Sequence, residues 1–103
     1  MMDNEDFIAR LTQLRLKHGV SARDMSLSLG QNSGYINNIE CGKALPSMSV
    51  FFYICEYLKI TPMDFFESDN PNPEKINEIL HNLKLLDETQ LDNISGIIKA
   101  IVK

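Results

Sequence analysis

The stretch Gly30–Ser47, GQNSGYINNIECGKALPS, constrains this chain more than any other. It reads as a turn, a short helix and a loop that leads into another helix. On its N-terminal side, Ser21 to Leu29 reads as a short helix. Ser21 with Asp24 three residues on is a capping-box-like start, Met25 and Leu29 face inward, and Ser26 is small enough to let another helix approach closely. Gly30 can adopt the positive φ that ends a helix. Asn32 can cap the next one, because its side-chain oxygen can accept from an orphan backbone N–H. The spacing then predicts a third helix over Ser33–Cys41, stopped by Gly42.

Two short helices joined by a three- to four-residue turn containing Gly make the helix-turn-helix pattern. The faces of the third helix differ. At 100° per residue, Ile36, Ile39 and Glu40 share one side, while Gly34, Asn38 and Cys41 lie opposite, with Tyr35 and Asn37 on the flanks. One side anchors in a core. The other offers amides and small groups, which suit base edges in a groove, since Asn pairs bidentately with adenine. In an isolated helix the same face would be ordinary solvated surface; the preceding helix and turn favour the groove.

The remaining chain reads as helices around this pair. Phe7, Ile8, Leu11 and Leu14 form the buried stripe of a first helix over Asn4–His18, closed by Gly19. Pro46 and Ser47 open a fourth, with Met48, Phe51, Ile54, Cys55 and Leu58 inward and Phe52, Tyr53 and Tyr57 largely off that stripe. Thr61-Pro62-Met63-Asp64 starts a short fifth helix, whose Phe65 and Phe66 close the core. Residues 1–68 therefore form the first unit, and 69–73, with two prolines, a linker. Residues 74–103 carry two more apolar stripes, Ile76, Ile79, Leu80, Leu83 and Leu86, then Leu91, Ile94, Ile97, Ile98 and Ile101. Asp87 and Gln90 form a capping box between them, with Leu86 and Leu91 placed as its staple. This predicts a helical hairpin too small to bury both stripes alone. It must pack on the aromatics Phe52, Tyr53 and Tyr57, on another copy, or on both. Ile76, Ile79, Leu80, Leu83, Leu91, Ile94, Ile97, Ile98 and Ile101 are its oligomerisation candidates.

At 103 residues and 44% hydrophobic composition, the chain is one all-α domain with an appendage. No run approaches the roughly 18 apolar residues of a membrane span, and the acidic N-terminus MMDNEDFIAR is no secretory signal. Cys41 and Cys55 lack metal-ligand spacing and fit a reducing cytoplasm. His18 and His81 stand alone, the acids fall at caps and on helix surfaces, and GQNSGY lacks the Lys-Ser/Thr of a phosphate loop. No enzyme, cofactor or metal is called for. The net charge is −4, and residues 1–68 hold six basic side chains (Arg10, Arg15, Lys17, Arg23, Lys43, Lys59) against eight acidic ones. Any grip on phosphate must come from a local basic surface and backbone N–H groups, with a modest salt slope.

Residues 7–66 resemble the Cro and lambda-repressor type of helix-turn-helix domain, the xenobiotic-response-element family of transcriptional regulators common in bacteria and phages. The matching residues are Leu14-Arg15, Gly19-Val20-Ser21, Met25-Ser26, Leu29-Gly30, Ile36, Ile39-Glu40, Gly42-Lys43, Pro46, Ile54, Leu58, Ile60-Thr61 and Phe65, in order and at the right spacing over about 60 residues. The resemblance implies a five-helix DNA-binding domain followed by the C-terminal hairpin. It implies that Ser33, Gly34 and Asn38 read base edges and that Tyr35 and Asn37 add contacts. It implies that Ser21 and Ala22 lie against phosphate, that Asn32, at the entry to the third helix, contacts the DNA, and that Lys43 touches the DNA backbone. Arg15 and Glu40 occupy the positions of a partly buried ion pair. Three residues depart from the pattern: Ala22 stands for a frequent Gln, Gly34 brings no side chain to the reading face, and Cys41 replaces a polar residue or Arg.

Two readings follow. In the first, the chain is a sequence-specific repressor that occupies double-stranded DNA as a homodimer or higher oligomer. In the second, the same fold is a protein-interaction module, antitoxin-like or bound by a protein antagonist, with weak or no DNA binding. A basic face around Arg10, Lys17, Arg23 and Lys43 would separate them.

Overall fold

The computed structural model describes residues 2–67, 69 and 71–102. It is all-helical, with seven helices among those residues: α1 Asn4–His18, α2 Ala22–Ser28, α3 Tyr35–Glu40, α4 Met48–Leu58, α5 Pro62–Phe66, α6 Pro73–Leu83 and α7 Glu88–Ile101. None is long and apolar enough to cross a membrane.

Most helix ends are written in local chemistry. Asp3 and Asp6 form a reciprocal capping box before α1, as do Thr61 and Asp64 at α5 and Asp87 and Gln90 at α7. Ser21 and Ser47 each accept a backbone N–H three residues on, from Asp24 at 3.0 Å and Val50 at 3.2 Å. Gly19 ends α1 at φ 79°, a conformation a Cβ would strain.

The first five helices share one core. Leu11, Leu14, Met25, Ile36, Ile39, Ile54, Cys55, Leu58 and Phe65 are all buried. Phe65 is fully buried and stacks near Phe7 and edge-on to Phe51, with ring centres 5.0 and 5.1 Å away. Burial of each such side chain is worth roughly 1.5–3 kcal/mol, enough in sum to order α3 and α5, which are too short to be helical alone. Burial also pushes the Cys55 thiol up to about 11, so it acts as a small apolar group.

Several expectations are corrected. Met48 fits the inward stripe of α4 by spacing but is exposed, lying on the rim of an apolar cleft of about 500 Å³ with Leu45, Pro46 and Phe66. Phe66 is also half exposed, so Phe65 alone closes the core. Phe7 and Ile8 are only partly buried. The linker ends one residue early, because Pro73 is the first residue of α6. Its positions Ser68 and Asn70, like the termini Met1 and Lys103, lie outside the described residues.

The sequence leaves open what covers the last two helices, and within the chain their stripes stay largely exposed. The turn Lys84–Leu86 joins α6 to α7, but the stripes are not closed against each other or against the first five helices. Phe52 and Tyr53 stay exposed, and Tyr57 instead packs on His18 with ring centres 5.2 Å apart. No residue of α7 is buried. The chain is accordingly elongated, 51 Å by 27 Å by 22 Å, with a radius of gyration of 16.7 Å, where a compact chain of this length has about 13 Å.

The base of this arm is nevertheless firmly seated. Pro73 is buried, the Asn77 amide donates to Asp64 Oδ2 at 2.7 Å, and Glu74 lies 2.9 Å from His18 Nδ1 and 3.7 Å from Lys59 Nζ. The Asp64 carboxyl sits below its usual range. Burial alone would raise it, and the hydrogen bonds from Asn77 and Thr61 with the nearby Arg10 charge outweigh that.

Candidate nucleic-acid interface

The α2–α3 pair is held by three kinds of contact. Ile36 and Ile39 of α3 are fully buried and anchor one side of it. Glu40 receives two hydrogen bonds from Arg15 of α1, 2.7 Å from Nε and 2.9 Å from Nη2, while Arg15 Nη1 donates to Val20 O at 3.0 Å. Both side chains are 13% exposed. The Glu40 hydrogen bond holds the Arg15 guanidinium pKa up against the opposing effect of burial.

The third contact is Ser26, which spacing alone marks only as small. Its hydroxyl donates to Ala22 O at 2.7 Å and accepts from the Ile36 N–H at 2.9 Å. It therefore caps α3 from a neighbouring helix. The expected cap, Asn32, does something else: its side chain accepts from Gly34 N at 3.1 Å and closes a tight turn. α3 consequently begins at Tyr35, with Gly34 as an N-cap that offers no side chain, and ends at Glu40, not Cys41. Ser26→Ala would leave the buried Ile36 N–H unpaired, and should lower unfolding free energy by about 1–3 kcal/mol. Urea titration checks this; a loss below a few tenths would mean water replaces the hydroxyl.

With α3 fixed this way, Ser33, Asn37 and Asn38 are exposed on its outer side, with Cys41 beyond them. Gly34 and Tyr35 are half-buried, and burial raises the Tyr35 phenol pKa. Asn37 Oδ1 lies 3.8 Å from the Cys41 thiol. Ser21 and Asn32 are exposed, but the side chain of each already accepts a backbone N–H. Ala22 is packed partly against the core. Lys43 is exposed on the loop after α3, its N–H donating to Asn38 O at 2.9 Å.

The basic face is thinner than the sequence suggests. Arg10 does not belong to it: the side chain is buried, and donates to the backbone oxygens of Phe65 at 2.6 Å, Asp64 at 2.7 Å and Glu67 at 2.8 Å and to Gln13 Oε1 at 2.8 Å. Its place could have been seen, since Phe7, Arg10, Leu11 and Leu14 share one helical stripe. Lys17 borders a cleft of about 480 Å³ at the base of α6, beside Glu74 and Glu78. Arg23 and Lys43 remain as exposed cations on and just after the α2–α3 pair. Comparison with family models, curated proteins and solved structures returns no match to this chain.

Proposed function

We propose that this chain is a sequence-specific DNA-binding regulator of the Cro/lambda-repressor helix-turn-helix type, a repressor that reads the major groove with α3 as a dimer. In this reading α1–α5 are the five-helix DNA-binding domain and α6–α7 the C-terminal appendage. The observation that carries it is the two-sidedness of α3. Ile36, Ile39, Glu40 and the Ser26 hydroxyl fix one side, while Ser33, Asn37 and Asn38 are turned out on the other. Amides held on a rigid support suit base edges, and the exposed Ser21, Arg23 and Lys43 on and beside the pair are suited to phosphate. One short helix reads only a few base pairs, so two copies with half-sites about 34 Å apart are needed for a useful site.

Selection from a random duplex pool at moderate salt tests this. Recovery of a two-fold symmetric motif with half-sites about ten base pairs apart supports it. Asn38→Ala should then weaken binding to the recovered site by roughly tenfold or more while leaving thermal stability unchanged; binding equal to the parent would remove Asn38 from the reading face.

The internal position of Arg10 and the acidic balance favour one alternative, a protein-interaction module on the same fold with a protein antagonist at α6–α7. Absence of enrichment even at low salt would select it.

A further inference from the structure

We propose that the cleft at the base of α6 is a binding site for a small phosphorylated molecule, and that the Glu74 carboxylate held there is an internal occupant which such a molecule displaces. No described residue of α2, α3 or the loop after them lines the cleft, so it is separate from the face assigned to DNA, and its test uses no DNA.

The lining of the cleft runs against the charge balance of the chain. Among the described residues, Lys17, His18, Lys59 and Lys75 line it against only Glu74 and Glu78, whereas the whole chain has 14 acidic side chains to 10 basic ones. Its floor is the buried Leu14, Leu58 and Ile60, which offer an anion no partner, so recognition falls to the basic rim. The volume, about 480 Å³, is that of a small-molecule site.

An anion already sits in this cleft and shows how one is gripped. Glu74 Oε2 lies 2.9 Å from His18 Nδ1, and Oε1 lies 3.7 Å from Lys59 Nζ, so two basic groups take one oxygen each. Glu74 is 39% exposed, so a solute can reach the same groups from water. Displacing the carboxylate leaves α6 seated by Pro73 and by the Asn77–Asp64 hydrogen bond. The backbone at Lys59 points the same way. The other described positions with positive φ are Gly19, Gly30 and Gly42, and Lys59 alone keeps a side chain in that region, at φ 60°. The lysine is held there at a conformational cost, and its ammonium is the group that meets Glu74.

A phosphoryl group suits this grip better than a carboxylate does. It presents three acceptor oxygens and up to two negative charges, and lysine and protonated histidine bind it through charge-assisted hydrogen bonds. The third oxygen has a partner available: Lys17 lines the cleft and makes no ion pair among the described residues. Lys75 has only a long contact to Glu78, at 4.0 Å.

Titration of the nitrogen-15-labelled full chain with inorganic pyrophosphate, free of divalent cations and at constant ionic strength, tests the site. The resonances of the His18 ring and the Lys59 amide should shift and saturate in the millimolar range or below, while those of His81, exposed on α6 outside the cleft, stay in place. Glu74→Gln should bind about fivefold more tightly, because the internal competitor is gone. Lys59→Gly should bind about tenfold more weakly with its fold intact, since glycine suits the positive φ. A Glu74→Gln variant no tighter than the parent, a Lys59→Gly variant as tight as the parent, or shifts that never saturate and are as large at His81 would each overturn the proposal.

Discussion

Replacing Arg10 with alanine should lower the free energy of unfolding by about 3–4 kcal/mol, more than any single change on the surface of α3. α5 is a five-residue helix whose last carbonyls gain little from the helix itself beyond a 3.2 Å bond from Glu67 N–H to Asp64 O. Arg10 reaches across from α1 and donates to three of the backbone oxygens at its end, those of Asp64, Phe65 and Glu67. Burial pushes the guanidinium pKa down and the carboxylates of Glu67 and Asp64 pull it up; the group stays charged. Truncation strands the buried Phe65 oxygen and weakens the seat of Phe65, the residue on which Phe7 and Phe51 pack. Arg10→Lys should recover less than half of the loss, since an ammonium cannot span a fan of acceptors that a planar fork matches. Urea denaturation followed by circular dichroism reads both. A loss for Arg10→Ala under 1 kcal/mol would show that the carbonyls rehydrate freely.

Glu40→Ala should cost about 3 kcal/mol, the low end for breaking a buried pair, because both members keep some exposure. The cost comes from leaving Arg15 charged and poorly solvated. Arg15→Met/Glu40→Leu, which removes both charges and keeps the volume, should therefore sit within about 1 kcal/mol of the parent. If the double variant is as unstable as Glu40→Ala, the pair contributes attraction of its own. The single variant should also loosen α3, visible as faster amide exchange at Asn37 and Asn38, since this is the contact that joins α3 to α1 through charge.

What was legible in the chain was mostly local. Thr61 with Asp64 and Asp87 with Gln90 mark helix starts without any tertiary partner, so α5 and α7 begin where their sequences say. The α4 stripe is right at Phe51, Ile54, Cys55 and Leu58 and fails at Met48, where the spacing continues past the edge of the core. The place of Arg10 is hard to read because a charge suggests solvent, and its backbone acceptors lie more than fifty residues away. The start of α3 was misplaced because Asn32 had two local uses, and a hydroxyl from α2 decided between them. On the outer face of α3, sequence spacing identified the exposed amides, but the number of free cations near them depended on which arginines the fold takes inside. The α6 and α7 stripes look the same in sequence whether a core, a second chain or nothing covers them.

The seating of α6 gives the arm a mechanical character. Pro73, Glu74 and Asn77 seat its N-terminal half against α1, against Lys59 at the end of α4 and against α5. An element fixed at one end on three supports transmits rotation as a crank does, whereas a proline-rich tether would absorb it. Any torque on the exposed end of α7 would pass through α6 to α1, and α1 is the helix that Arg15 ties to Glu40 of α3.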